Sequence, residues 1–304
     1  MKSIYTIILH YSNFQNTVDC IKSCLKVRKD GLSLKILLVN NNPQEKLEKK
    51  IESQFREVEI IENSKNYGFA KGNNIGIRNA LKKGADYFLL LNNDTVVSKD
   101  FLIQLIKAFK ENKQISIASP KIYFAPGFEF HKERYSEKEK GKVIWYAGGK
   151  IDWKNIYASH VGVNKVDKDQ FNSLGPTDFA TGCCMFIKKQ VFEKTGLFDH
   201  KYFLYWEDVD FCQRAKKQGF QVFYCPQSHI YHKNAESSFV GSQLQDYYQT
   251  RNRLLFGLKY GSVKVKISLV KQSMQRLFKG RQWEKKGIVD FYTRNFGRGR
   301  FKNS

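Results

Sequence analysis

The chain has 304 residues, 41% of them hydrophobic and only five of them proline, enough for a proper core and unlike a disordered polymer. Its net charge of +23 calls for an anionic partner, which composition leaves open among nucleic acid, an anionic membrane surface and a phosphorylated substrate. Six cysteines with no C-x-x-C pair point away from a zinc site or a secreted disulfide framework and fit free thiols in a reducing cytoplasm.

Residues 4–10 read as a short, β-rich first strand. Residues 14–27 carry Val18, Ile21 and Leu25 near helical spacing. Residues 34–39 form a second apolar strand that ends in Asn40-Asn41-Asn42-Pro43. A polar helix over 44–55 and a strand over 58–61 follow. A glycine-rich loop, 63–76, then runs into a helix through Leu81. Next comes Tyr87-Phe88-Leu89-Leu90-Leu91, a continuous apolar run that stops at Asn92-Asn93-Asp94-Thr95. Such a run suits a central parallel strand buried on both faces. A helix over 101–109 and a strand over 115–119 complete an alternation that predicts a doubly wound α/β sheet with right-handed crossovers.

The pattern then changes. Residues 120–175 read as an irregular insertion, a solvated and partly mobile surface loop, with a candidate hairpin over 143–151 and 157–163. Residues 179–188 are compact and apolar. Short helices are expected over 190–195 and over 207–218, the latter ended by Gly219, with a final strand at 221–224. From Ser242 the chain is mostly helical and basic. The opening apolar stretch of about six residues is too short for a signal peptide or a membrane span. The expectation is a soluble or peripheral protein on the cytoplasmic side.

Five stretches carry chemistry. Ligands of open α/β sheets bind beyond the carboxyl ends of the strands, and Asn92-Asn93-Asp94 stands at such an end. Its oxygen donors suit Mg²⁺ or Mn²⁺ held together with a phosphorylated substrate, although a turn followed by a helix cap would use the same residues. The stretch from Asn66 to Gly76 feeds a helix N-terminus that favours an anion, yet its spacing is neither Rossmann nor Walker. Thr181-Gly182-Cys183-Cys184 precedes an apolar strand and suggests backbone packed close to a ligand, or simply a buried strand. Glu207, Asp208 and Asp210 open a helix among aromatics. Acid at a helix start is electrostatically ordinary, but aromatic surroundings can raise a carboxylate toward a working base. Asp210 and Arg214 at i,i+4 read as a structural ion pair. In the last stretch, 226–238, His229 reads as structural and His232 lies near a strand end.

Together N-x-G-F-A-x-G-x-N-x-G, L-N-N-D-T, T-G-C-C-M-F and G-x-F-D…Y-W-E-D-V-D-F-C-x-R-A resemble the family 2 inverting glycosyltransferases of the GT-A fold. More narrowly they resemble the bacterial rhamnosyltransferase-like branch, over roughly residues 4–260. The resemblance implies a Rossmann-like, mostly parallel central sheet with flanking helices, plus a helical basic C-terminal extension. It implies a catalytic unit over 1–240, with a nucleotide-sugar half (1–119) and an acceptor half (120–240), followed by the extension over 241–304.

It also implies roles. Asp208 matches the catalytic base, with Glu207 its neighbour. Asp94 matches the last carboxylate of the D-x-D metal motif, whose first position is an amide here, and His232 a further ligand for Mg²⁺ or Mn²⁺. Donor contacts fall on His10, Asn40, Asn42, Asn66, Gly68, Lys71, Asn74, Asn92, Asn93, Arg251 and Arg253, the last two in a Y-x-x-R-N-R helix begun by Tyr247. Acceptor contacts fall on Thr181, Gly182, Tyr205 and Trp206.

The implied reaction is sugar transfer, with inversion, from a nucleotide-sugar donor, dTDP-rhamnose foremost, to a saccharide or lipid-diphosphate-linked acceptor in cell-surface polysaccharide synthesis. Galactofuranosyl or hexosaminyl transfer from a UDP-sugar is the alternative within that class. The basic amphipathic tail suits an anionic membrane surface, at the inner face of a bacterial cell membrane. Nucleic-acid binding is disfavoured, because no recognisable module is present and the aromatics fall inside apolar runs. A membrane- or nucleic-acid-binding protein without catalysis is the alternative of another class.

Overall fold

The computed structural model describes residues 2–233 and 241–301. Residues 234–238 of the last stretch and 302–304 of the tail lie outside it. The apolar run forms β4 (Tyr87–Asn92), in which Phe88 to Leu91 are at most 2% exposed, so both faces are covered. It pairs in parallel with β1 (Ser3–His10), which pairs with β2 (Ser33–Asn40), which pairs with β3 (Val58–Glu62). On the other side β11 (Cys184–Lys188) runs antiparallel between β4 and β6 (Ile115–Phe124). β6 lies parallel to β12 (Gln221–His232). The sheet is therefore mostly parallel, with β11 reversing direction inside it. The carboxyl ends of β1, β2, β3, β4, β6 and β12 and the amino end of β11 share one edge.

The helices are set by caps and by close packing. α1 (Phe14–Leu25) starts at Asn13, whose side chain accepts the Asn16 N–H at 3.1 Å. α2 (Glu48–Glu52) is shorter than the 44–55 expected, because the Glu62 carboxylate accepts the Leu47 and Glu48 N–H groups and fixes its start. α3 (Gly68–Lys82) takes in most of the stretch expected to be loop. Its glycines seat the helix on the sheet: a Cβ on Gly72 would come within 2.7 Å of Leu9, and one on Gly76 within 2.6 Å of Ile7. The close approach is thus to β1 and not to a ligand. α4 (Phe101–Glu111) packs on β12 and β6.

Residues 120–175 are more than a solvated loop, although 132–134 and 136–138 of the charged segment are exposed. Residues 120–124 extend β6, and β7 (Ile144–Tyr146) pairs with it. A hairpin of β8 (Gly149–Asp152) and β9 (Tyr157–His160) follows, with Val143, Ile144, Tyr146, Ile151 and Ile156 buried. β5 (Thr95–Val97) and β10 (Gly175–Pro176) pair with β12. β12 reaches well beyond residue 224. A register shift between Cys225 and His229 lets the strand pass Pro226, which has no N–H to give. After α5 (Lys189–Thr195) and α6 (Glu207–Lys217), the chain ends in α7 (Gln243–Tyr260), α8 (Val263–Lys279) and α9 (Gln282–Tyr292). Leu254, Phe256, Leu269 and Ile288 of these helices join the main core.

Candidate active site

Pairing of β5 with β12 sets His232 opposite Thr95, beside the residue just past the end of β4. His232 Nε2 lies 3.1 Å from Asp94 Oδ1, and the Lys233 N–H donates to the Asp94 carbonyl at 2.8 Å. Burial opposes a charge on His232, but Asp94 and Cys183 beside it outweigh burial and push its pKa well above the ordinary value. Its Nδ1 is buried without a hydrogen-bond partner. A carboxylate, and an imidazole that gives up its proton to the cation, are a donor set that fits Mn²⁺ when the remaining positions come from a diphosphate and water. Among the described residues no cluster of three or more such side chains could hold a metal without a ligand's help. Asn92 and Asn93 are partly exposed at the same edge. The Asn93 amide donates to Ser12 O and Thr17 Oγ1, both at 2.9 Å, which orients its carbonyl oxygen.

The turn 181–183 links this pair to the candidate base. The Asn92 N–H donates to Cys183 O at 2.9 Å, while the Gly182 N–H donates to Asp208 Oδ2, also at 2.9 Å. Asp208 Oδ1 accepts the Val209 N–H at 2.8 Å. Burial raises the Asp208 carboxyl, and these N–H groups restrain the rise. Glu207 is 4% exposed and its Oε2 has no hydrogen-bond partner. Burial, and then the Asp208 charge, push Glu207 well above the ordinary carboxyl range. Of the two, Glu207 is pushed the further up.

Both residues follow a strained loop. Phe203, Tyr205 and Trp206 have φ of 65°, 67° and 74°, a region that costs such side chains about 1–3 kcal/mol each. The loop is held from both sides. Phe203 O accepts the Phe69 and Ala70 N–H groups of α3 at 2.7 and 3.3 Å. From α7, Asn252 Nδ2 reaches Tyr202 O, Leu204 O and Tyr205 O at 2.8–2.9 Å, and Arg251 Nη2 reaches Lys201 O and Tyr202 O at 3.1 and 3.0 Å.

That clamp corrects two expected donor contacts. Arg251 is fully buried, and its Nη1 donates to Gly297 O at 2.7 Å. Arg253 Nε and Nη2 donate to Asn155 O, Ile156 O and Gln272 Oε1. Both guanidiniums are engaged with protein, and Tyr247 is buried on Asp290. Other expected contacts are likewise supports. His10 is fully buried, with ring nitrogens 2.7 Å from Thr17 Oγ1 and 3.2 Å from Glu45 Oε2. Asn40, also fully buried, donates to Glu45 O and Glu62 Oε2. Asn74 makes two bonds to the Phe198 backbone. Gly68 is buried at the start of α3 and leaves no room for a Cβ against Phe203.

Among the expected acceptor residues, Thr181 is buried and accepts the Cys183 N–H, and Gly182 binds Asp208. Trp206 is 5% exposed and donates to Gln249. Tyr205 is partly exposed. Asn42 and Asn66 are also partly exposed at the edge, and Lys71 is exposed with its Nζ 4.4 Å from the Tyr67 ring centre. Sequence reasoning missed Asn41. Buried, it donates to Asn66 Oδ1 and Gly68 O and accepts from Asn63 and the Tyr67 N–H, which ties β2 to the start of α3. Its place in a run of three asparagines was the only signal.

Residues 5–196 match glycosyl transferase family 2, and residues 142–294 match glycosyl transferase family group 2. Among curated relatives, "Low-salt glycan biosynthesis hexosyltransferase Agl10" of Haloferax volcanii is 26% identical over 66% of this chain, and the match spans 60% of that relative's length. "dTDP-rhamnosyl transferase RfbF" of Shigella flexneri is 23% identical over 83% of this chain and 79% of its own. "Rhamnosyltransferase WbbL" of Escherichia coli K12 is 27% identical over 75% of this chain and 83% of its own. GalNAc-T7, solved with UDP, GalNAc and Mn²⁺, superposes with a TM-score of 0.65 at 15% identity, covering 96% of this chain and 54% of that one. This likeness shows the α/β architecture to be a GT-A fold. With residues 5–196 inside its profile, the chain belongs to glycosyl transferase family 2.

Proposed function

We propose that this protein transfers a sugar, with inversion, from a nucleotide-sugar donor to a hydroxyl of a saccharide or lipid-diphosphate-linked acceptor. One observation carries the reading. The three-residue turn 181–183 hydrogen-bonds Asp208 through Gly182 and the end of β4 through Cys183, so base and metal pair share one sheet edge. dTDP-rhamnose is the favoured donor, supported by the two rhamnosyltransferase relatives. A UDP-sugar, for galactofuranosyl or hexosaminyl transfer, is the second reading, supported by the UDP-bound fold neighbour.

Asp208 takes a proton from the acceptor hydroxyl, whose oxygen attacks the anomeric carbon opposite the departing diphosphate. Glu207, kept protonated, leaves the negative charge to Asp208. Asp94 and His232 would hold Mg²⁺ or Mn²⁺, which when bound neutralises charge gathering on the leaving group. Lys71, exposed in the first turn of α3, adds a positive charge toward a diphosphate, while the first N–H groups of that helix are spent on Phe203 O and Asn66. Asn42, Asn66, Asn92 and Asn93 offer neutral hydrogen bonds to the nucleoside. The division of labour is a nucleotide-sugar half over 1–119, an acceptor half over 120–240 and a helical extension over 241–304. The work belongs to cell-surface polysaccharide synthesis on the cytoplasmic side of a bacterial membrane, with the extension toward the lipid. No described helix is long and apolar enough to cross a membrane.

Calorimetric titration of dTDP, UDP and GDP, each with and without Mn²⁺, tests the reading. Metal-dependent binding of dTDP is expected. Metal-dependent binding of UDP alone would shift the donor to the second reading, and no binding of any nucleotide would overturn enzymatic transfer.

A further inference from the structure

α8 has two apolar sides. Leu269 faces inward, beneath Gly257 of α7, where a Cβ would come within 2.3 Å of it, and Ser273 is buried beside it. On a neighbouring side, about a third of a turn round from this inner row, Val263, Ile267, Val270, Met274 and Phe278 recur at steps of three and four and so form one stripe. They are 73, 65, 37, 41 and 80% exposed. Packing against the rest of the protein accounts for the inner side only. Scattered exposed apolar residues are normal, but a contiguous row along a whole helix marks an interaction surface. At about 1.5 Å per residue this 17-residue helix presents a row some 25 Å long.

The charges beside the stripe identify its partner. By helical angle Lys264 and Lys271 stand on one flank and Lys266 on the other, and α8 contains no acidic residue. A second copy of the chain would bring these lysines against one another in a two-fold contact, which disfavours self-association. An acidic, apolar-cored surface answers both features at once. We propose that the exposed face of α8 is a docking surface for an anionic phospholipid bilayer, with the helix lying in the headgroup plane and the Phe278 end inserted deepest. This deepens the membrane location given above and rests on it for its biological sense. Its physical basis is independent of the sugar-transfer chemistry.

The test is sedimentation of the full chain with vesicles of phosphatidylglycerol mixed with phosphatidylcholine, against vesicles of phosphatidylcholine alone. The protein should pellet with the mixed vesicles and stay in solution with the neutral ones. The double substitution Ile267→Glu, Phe278→Glu should weaken binding by at least about tenfold, and Lys264→Glu, Lys271→Glu should abolish the preference for anionic lipid. All four side chains are exposed, so an unchanged melting temperature confirms that each variant folds. Equal binding by wild type and the apolar variant, equal binding to both vesicle types, or a dimer in sedimentation velocity that the apolar variant loses would each overturn the proposal. Nucleotide binding is not read here, so failure of the lipid surface and failure of the enzymatic reading are separate results.

Discussion

Asp208 and Glu207 are adjacent, yet their surroundings divide the work between them. Asp208 accepts two backbone N–H groups, which favour its charged form, while the buried and unpartnered Glu207 oxygen favours the proton. Asp208→Asn should lower transfer by about 10²–10⁴-fold in initial-rate assays and leave nucleotide affinity close to wild type. Glu207→Gln should stay within about tenfold of wild type, since it replaces one neutral group with another. A raised carboxyl contributes stability below its unfolded pKa and loses it as pH rises through the folded value. Glu207→Gln should therefore remove the part of the stability loss that sets in as pH rises above about 4.3 in urea titrations. Equal losses of rate in the two variants would remove this assignment. Asp94, Asp208 and His232 were singled out by their match to the family's motifs, since an acid at a turn or helix start and a histidine near a strand end each have an ordinary structural use. The supporting residues were not. Asn40, Asn74 and Arg251 are as polar as ligand contacts, and only burial shows that their bonds are spent inside the protein.

Among the elements, β4 could be read with little ambiguity, since a continuous apolar run has few homes other than a central strand. The start of α3 was hidden, because glycine signals a turn in sequence and here answers to the nearness of Ile7 and Leu9, which is long-range information. The strands within 120–175 were hidden for a similar reason: each is short, and its partner lies elsewhere in the chain. α7 carries the main functional consequence. Its Asn252 amide gathers three carbonyls of the loop that precedes Asp208. Asn252→Ala leaves those acceptors unmet beside three residues of left-handed backbone, and should cost about 1–3 kcal/mol in urea unfolding. It should also reduce kcat several-fold at a temperature where the variant remains folded, with nucleotide affinity little changed. A stability loss with unaltered kcat would reduce Asn252 to a purely structural residue.

Across the whole molecule, the C-terminal helices and the layers around the sheet are joined by charge as well as by a common core. Asp210 of α6 is fully buried and bonds Arg214 Nε and Lys259 Nζ, each at 2.7 Å, so the ion pair expected from the i,i+4 spacing gains a second cation from α7. Burial alone would raise its carboxyl, but the two cations hold it below the ordinary value. For a depressed carboxyl, stability is full above the unfolded pKa of about 3.9 and is lost as pH falls through the lower folded one. Asp210→Asn should cost about 3–5 kcal/mol at neutral pH and flatten the acid limb of urea unfolding below about pH 4. An acid limb identical to wild type would show that other carboxylates govern it. The net charge was plain from composition, but its placement was not: the sequence suggested a basic tail, and the fold turns part of that charge inward.

The strapping of the loop by Arg251 and Asn252 has a temporal consequence. Chains emerge from the ribosome amino end first, and Asp94, Asp208, His232 and every described sheet strand precede α7 in that order. A nascent chain can thus complete its sheet while the segment before Asp208 still lacks its restraint. The restraint on that segment is therefore among the last contacts a growing chain can make, and its left-handed backbone is set only after the strands on either side of it.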